Sequence, residues 1–201
     1  MHRNPTPAHN SHMNIRELLS ENRIEIGAEL YSKDEALERL IRLQKKSGCI
    51  HNPKALRREI QEREKQGNSA VACRVAIPDV MHSGSAQTTI SAVTVKDGVD
   101  YGAPDHRPVR LIFMIAGKSG SDEHIEAKSR LMHLLMDAGF TARLCAAQST
   151  EEFLQLIEER ERLRYAPVDP NKKYNCSKFL SENNNKKKRF RFPKRKHSKS
   201  R

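Results

Sequence analysis

The chain has 201 residues, 31% of them charged, and a formal net charge of +12 at pH 7. The positive excess belongs to residues 171–201, which hold 13 Lys and Arg against one acid. Residues 1–170 therefore keep 24 of the 37 basic and 24 of the 25 acidic residues. This neutrality excludes a nucleic-acid interface spread over the whole protein.

No apolar run reaches the roughly 18 residues of a membrane span, and residues 1–12 lack the apolar stretch of a secretory signal, so we expect a cytoplasmic protein.

The four cysteines do not predict a metal site. Cys49, Cys73, Cys145 and Cys176 are widely spaced and form no C-x-x-C pair, and no Cys/His cluster has zinc-finger spacing. We therefore expect reduced, mostly buried thiols, with a reactive thiol as the alternative, and no bound metal. No cofactor is expected either.

Two helices are predicted in the first third of the chain. Residues 32–35 (SKDE) form a capping box, in which the serine hydroxyl and the glutamate carboxylate satisfy amides at the helix start. Gly48 stands where a left-handed C-cap would end this helix. Asn52 and Pro53 open a second helix as N-cap and first-turn proline, and Gly67 ends it.

The middle of the chain predicts β-strands. Residues 71–77 form a short β-type stretch closed by Pro78, and residues 88–95 are rich in β-branched side chains. Residues 109–116 (VRLIFMIA) are almost continuously apolar and predict a central strand covered on both faces.

The last third predicts helices again. Ser121 is expected to cap a helix that ends near Gly139, and Lys128 falls on its apolar face, where a charge is unexpected. Residues 149–152 (STEE) form a second capping box. Helices before, between and after strands predict a layered α/β domain.

The domain is expected to occupy residues 13–165. Residues 1–12 are interpreted as a flexible extension and residues 166–201 as a disordered basic tail. The Lys/Asn/Ser-rich end of the chain cannot bury enough apolar surface to offset the entropy of ordering it.

Several segments occur in the order and at the spacing of one known family. They are residues 32–37 (SKDEAL), 62–67 (EREKQG), 76–78 (AIP), 99–105 (VDYGAPD), 111–116 (LIFMIA) and 122–124 (DEH). Over residues 15–159 the chain resembles the enzyme IIA domains of the fructose/mannitol class, type 2, of the bacterial sugar phosphotransferase system. The resemblance implies a mixed β-sheet flanked by helices on both faces.

The same resemblance implies a phosphorelay. In this family a histidine directly after A-I-P takes a phosphoryl group from the phosphocarrier HPr. It passes the group to a cysteine of enzyme IIB, which phosphorylates the sugar entering through the membrane permease. Imidazole suits the relay because its neutral nitrogen is nucleophilic at pH 7. His124 and Arg63 stand where the family has a second histidine and an arginine, and Ser69, Pro78 and His82 are expected to contribute to binding.

The chain departs from the family at the centre of the site. Asp79 occupies the position of the phosphorylated histidine, and Ala70, Ala72 and Arg74 replace three glycines. An aspartyl phosphate is chemically feasible, but a carboxylate repels an incoming phosphoryl group unless a cation offsets its charge. His82 is interpreted either as a substitute nucleophile or as an ordinary surface histidine.

Three functions stay open from the sequence. The first is a phosphocarrier IIA domain impaired by Asp79, with HPr and enzyme IIB as partners and the permease as an indirect one. The second is a non-catalytic regulatory domain that binds protein partners. The third is nucleic-acid association through the tail, where Phe190 and Phe192 interleave with basic residues. The first predicts that Asp79, His124 and Arg63 converge in one shallow pocket.

Overall fold

The computed structural model describes residues 13–71 and 74–165, so the predicted N-terminal extension and basic tail lie outside the described residues. Six α-helices and six strands follow along this part of the chain. The helices are α1 (Ile15–Leu18), α2 (Lys33–Lys45), α3 (Pro53–Gln66), α4 (Glu123–Leu135), α5 (Ala138–Ala146) and α6 (Thr150–Tyr165). The strands are β1 (Ile24–Ala28), β2 (Ala70–Val71), β3 (Val75–Ala76), β4 (Asp79–His82), β5 (Thr89–Val99) and β6 (Val109–Lys118).

The strands form one mixed sheet in the order β1-β5-β6-β3-β2, with β4 also paired to β6. β5 and β6 are antiparallel, whereas β3 and β4 both run parallel to β6 along its other edge. Between these two pairings Ile77 donates its amide to the Ser69 carbonyl, whereas the Pro78 carbonyl accepts from Ile115 of β6. The mixed sheet and its flanking helices confirm the predicted α/β fold class.

The alternation of side chains along β6 divides the apolar core into two clusters, one on each face of the sheet. Leu111, Phe113 and Ile115 pack with α1, α4, α5 and α6, whereas Ile112 and Met114 pack with α2 and α3. All five side chains are fully buried. The continuous apolar run therefore forms a central strand covered on both faces, as predicted.

The predicted caps of the first two helices are confirmed. Ser32 Oγ accepts from the Glu35 amide at 3.2 Å, and Asn52 Oδ1 accepts from the Ala55 amide at 3.0 Å. Gly48 has a φ of +72°, the left-handed conformation that favours glycine after a helix. Local side-chain chemistry therefore sets these helix ends.

The prediction of one long helix after Ser121 is confirmed at its start, where Ser121 Oγ accepts from the Glu123 amide at 3.2 Å, and is wrong at its end. The helix begins at Glu123 after Asp122, and it ends at Leu135. Gly139 lies inside a separate helix, α5, because the Asp137 carboxylate accepts from the Gly139 and Phe140 amides and starts a new helical segment. The apolar spacing continues across this break, so periodicity alone did not reveal it.

Asp137 also supplies a pH-dependent contribution to stability. The hydrogen bond from the Phe140 amide, with those from Gly139 and Arg160, holds the pKa of this exposed carboxylate below its usual value. A lowered pKa in the folded state stabilises the fold above the unfolded pKa, and this stabilisation is lost as pH falls through the folded pKa. We expect Asp137→Asn, which keeps a capping acceptor, to lower the thermal midpoint at pH 7 and to lose that difference in acid. Thermal unfolding at several pH values measures the difference in midpoint between the wild type and Asp137→Asn. A difference that does not change with pH would contradict a role for the Asp137 charge. Glu158→Gln is the control for removing the charge of an exposed acid.

A buried amide ties α2 to two strands. Gln44 Nε2 donates to the carbonyls of Thr89 and Met114 at 3.2 and 3.0 Å, and its Oε1 accepts from the Thr89 hydroxyl at 2.8 Å. We expect Gln44→Leu to lower the free energy of unfolding by about 2–4 kcal/mol, because it leaves buried polar groups without partners. Urea denaturation measures this, with Gln61→Leu on the exposed surface of α3 as control. Equal losses in both variants would show that the buried amide contributes nothing specific.

Candidate functional site

Asp79 begins β4 directly after Pro78 and lies opposite Ile115 of the central strand. Ile115 donates its amide to the Pro78 carbonyl at 2.9 Å, which fixes the backbone at this point. In the described residues β4 pairs with β6 alone, so its other edge is open. The Asp79 side chain is 13% exposed and is directed toward α4.

Lys128 of α4 supplies the counter-charge to Asp79. Its Nζ lies 2.5 Å from Asp79 Oδ1, and its side chain is 26% exposed. This contact explains the charge on the apolar face of α4. A largely buried carboxylate requires a hydrogen-bonded cation to offset its desolvation, and Lys128 fills that role.

His124 lies one helical turn before Lys128 and shares its face of α4. It packs against Gly117, two residues beyond Ile115, so closely that a Cβ on this glycine would meet the His124 Cβ at 2.5 Å. The Nδ1 atom is 3.1 Å from the carbonyl of Ser121, which can only accept. Nδ1 therefore carries a proton and donates it to this carbonyl. His124 is buried except for a small part of its surface.

Arg63 and Ser69 belong to the other face of the sheet. Arg63 lies on the exposed side of α3, and its Nη1 atom is 3.7 Å from where a Cβ on Gly67 would stand. Ser69 Oγ is 3.2 Å from the hydroxyl of Tyr101, a buried residue of the α2–α3 side. The convergence of Arg63 with Asp79 and His124 therefore stays a prediction, whereas Asp79 and His124 face the same helix layer.

His82 corrects one interpretation of the sequence. It is fully buried rather than on the surface, and its Nδ1 atom lies 2.6 Å from Glu59 Oε2 of α3. Alternation along β4 directs Asp79 toward α4 and His82 toward α3, on opposite faces of the sheet. The interpretation of His82 as an ordinary surface histidine is wrong, and its ring is on the other side of the strand from Asp79.

The site therefore presents a neutralised acid rather than a free nucleophile. The Asp79 carboxylate is engaged by Lys128, and His124 precedes Lys128 by one helical turn on α4. Within residues 13–71 and 74–165, no group of His, Cys, Asp or Glu side chains is arranged to hold a metal ion. None of the helices described is long and apolar enough to cross a membrane.

Comparison with known proteins identifies the family of this chain. Residues 17–160 match the family described as phosphoenolpyruvate-dependent sugar phosphotransferase system, EIIA 2. The chain belongs to this type-2 EIIA family. The match includes β4 and α4, and hence Asp79, His124 and Lys128.

Individual relatives support the family assignment. The chain is 30% identical over 151 residues to the fructose-specific EIIABC component of Bacillus subtilis, covering 75% of this chain but only 24% of that protein. The chain thus spans about a quarter of that relative's length. The nitrogen regulatory protein IIA-Ntr of Neisseria meningitidis is similar in structure, with a TM-score of 0.67 and 27% identity over 71% of this chain and 98% of that one.

A second solved structure shares the fold. The mannitol IIA enzyme in complex with phosphorylated mannitol IIB of Escherichia coli aligns with a TM-score of 0.63 and 24% identity, covering 70% of this chain and 97% of that one. At this identity the likeness establishes only the fold.

Proposed function

We propose that this EIIA domain is a phosphocarrier of the sugar phosphotransferase system whose own phosphoryl transfer is impaired. In this proposal the domain binds HPr and an enzyme IIB in the cytoplasm, and through IIB it serves a membrane sugar permease. Family membership and the fructose-specific relative support the class of partners. The mannitol IIA of the related structure forms its complex with an enzyme IIB.

The Asp79–Lys128 ion pair is the observation that carries this proposal. A relay needs a nucleophile that attacks phosphorus. The Lys128 ammonium offsets the charge repulsion that Asp79 alone would exert, but it also hydrogen-bonds Asp79 Oδ1 at 2.5 Å and so lowers the nucleophilicity of the carboxylate. Freeing that oxygen leaves the Lys128 ammonium and the largely buried Asp79 carboxylate unpaired, at a cost of about 2–3 kcal/mol once the partial exposure of Lys128 is allowed for. An acyl phosphate at Asp79 would also replace the singly charged carboxylate that Lys128 neutralises with a dianionic group.

Competition in a working relay tests the proposal. Enzyme I, HPr and an active type-2 IIA are incubated with labelled phosphoenolpyruvate, and this chain is added in increasing amounts. We expect it to slow labelling of the active IIA by occupying HPr while remaining unlabelled. Absence of any inhibition at concentrations that exceed HPr manyfold would contradict docking, and labelling of this chain would contradict impairment.

A purely regulatory role is the second candidate, and the same ion pair favours it. An acid neutralised by Lys128 keeps the site in one charge state whatever the supply of phosphoenolpyruvate. A regulator of this kind binds its partner equally well with and without enzyme I and HPr activity. The third candidate, nucleic-acid binding, depends on residues 171–201, which lie outside the described part of the chain.

The proposed domain boundary is testable in the same material. Both apolar clusters are built from residues 13–157, so a chain ending at Tyr165 keeps every core contact described. We expect this truncation to change the thermal midpoint by no more than a few degrees. A loss of cooperative unfolding would show that the domain extends beyond residue 165.

A further inference from the structure

A cavity of about 360 Å³ lies between α5 and the start of β6, away from Asp79. Its charged wall consists of Arg74, Arg107 and Arg110. Arg110 precedes Ile115, the strand partner of Asp79, by five residues, which is about 17 Å along an extended strand. The cavity is therefore separate from the site described above.

The three arginines lack acidic partners among the residues that the structure describes. The ion pairs formed by those residues involve none of the three guanidinium groups. The nearest acid in sequence, Asp105, accepts from the backbone amide of Arg107 at 3.2 Å. Three guanidinium groups lining one cavity repel one another unless an anion lies between them. Their arrangement therefore predicts a bound anion.

Arg74 occupies its position in a strained backbone conformation. Its φ of +64° is the left-handed region that favours glycine and is uncommon for other residues. Its carbonyl accepts from the Arg110 and Leu111 amides at 2.9 and 3.2 Å, which joins it to β6 at the cavity edge. Strain of this kind persists where the side chain has a use that glycine cannot supply.

The opposite wall is apolar and belongs to α5. Ala138, Ala142 and Ala146 are spaced four residues apart and line the cavity with small methyl groups, beside Cys145. Burial raises the pKa of the Cys145 thiol, while the charges of Arg110 and Arg74 oppose that shift, which places both arginines near the sulfur. An occupant would therefore meet positive charge on one side and carbon on the other.

We propose that the cavity bounded by Arg74, Arg107, Arg110 and the alanine face of α5 binds a small phosphate monoester. Guanidinium groups bind phosphate oxygens through paired hydrogen bonds, and the alanine wall accommodates the organic part of the molecule. The volume lies at the lower end of ligand-binding cavities, about 300–1,000 Å³, so it fits a small molecule rather than a nucleic-acid backbone. The proposal does not rest on relay activity, although Arg74 also belongs to the segment before Asp79 where the chain departs from the family's glycines.

Binding of phenyl phosphate to the full chain tests the site. Titration calorimetry is expected to give a dissociation constant of about 0.1–1 mM, with weaker binding of inorganic phosphate, which lacks the organic part. Arg110→Gln and Arg107→Gln should each weaken binding about tenfold. Arg143→Gln removes the same charge from α5, where Arg143 faces Glu159, and should change affinity by less than about twofold. Equal binding in all four proteins would overturn the proposal.

Arg74→Gly separates a binding role from a structural one. Glycine relieves the left-handed strain, so this variant should unfold at a higher temperature than the wild type and still bind phenyl phosphate several-fold more weakly. A variant with unchanged affinity would remove Arg74 from the site. This readout does not require Arg110→Gln or Arg107→Gln to fold.

Alkylation of Cys145 reports on the cavity itself. Phenyl phosphate should slow modification of Cys145 by N-ethylmaleimide, followed by peptide mass spectrometry, while leaving half-buried Cys49 unprotected. Saturable binding without this protection would locate the ligand elsewhere, for example on the basic tail, and overturn the proposal. Protection by an oligonucleotide or a phosphopeptide but not by phenyl phosphate would likewise overturn the small-molecule assignment.

Discussion

Asp79→His combined with Lys128→Leu is expected to convert this chain into a phosphoryl acceptor. The exchange replaces an ion-paired carboxylate with a neutral imidazole and removes the ammonium group that would otherwise lie unpaired beside it. Imidazole nitrogen is nucleophilic at pH 7 and forms a phosphoramidate that still transfers its phosphoryl group. Labelling from phosphoenolpyruvate through enzyme I and HPr should rise at least about a hundredfold above the unmodified chain.

A matched variant distinguishes the effect of supplying a nucleophile at position 79 from the effect of removing the two charges. Asp79→Asn with Lys128→Leu also removes both charges but supplies no nucleophile, so it should remain unlabelled. Returning Ala70, Ala72 and Arg74 to glycine in the histidine variant should raise labelling further, because smaller residues leave more room for a partner's backbone. A folded Asp79→His, Lys128→Leu protein that binds HPr yet stays unlabelled would show that position 79 is not the acceptor position.

Lys128→Met is expected to be one of the most destabilising single changes at the surface of this domain. It leaves the Asp79 carboxylate, only 13% exposed, without its cation. Breaking a well-buried pair costs about 3–5 kcal/mol, and partial exposure of Lys128 reduces the expected loss to about 2–3 kcal/mol at pH 7. Urea denaturation measures the free energy of unfolding.

The second substitution should recover most of that loss. Asp79→Asn together with Lys128→Met leaves no unpaired charge, so the double variant is expected to be more stable than Lys128→Met alone. The coupling energy of the cycle should exceed about 1 kcal/mol. The exposed pair of Lys65 and Glu62, 3.4 Å apart, provides the control, where coupling should stay below about 0.5 kcal/mol. Equal coupling in the two pairs would contradict a specific role for Lys128.

Much of the fold could be predicted because the signals for it are local. The capping groups of α2, α3 and α6 and the apolar run of β6 depend on residues within one element. β4 was not predicted because the sequence Asp-Val-Met-His lacks the alternation of a half-buried strand, and it forms through pairing with β6. The separate helix α5 was not predicted because the apolar spacing continues past Asp137, the residue that caps it.

The candidate site was only partly predictable, because its decisive contact is distant in sequence. The motif A-I-P predicts Asp79 as the acceptor position, but Lys128, which contacts it, lies 49 residues further along the chain. Its only sequence signal was a charge on an apolar helix face. The burial of His82 was missed for the same reason, since its partner Glu59 belongs to an earlier helix.

Intact-mass spectrometry of the unmodified chain, incubated with phosphoenolpyruvate, enzyme I and HPr, tests the central claim most directly. We expect no added phosphoryl group under conditions that fully label an active type-2 IIA, because Lys128 engages the Asp79 carboxylate. Rapid and complete labelling would contradict impairment. In that case a phosphate lost in base would identify Asp79 as the acceptor, and one lost in acid but stable in base would point to a histidine, with His124 on α4 as the candidate.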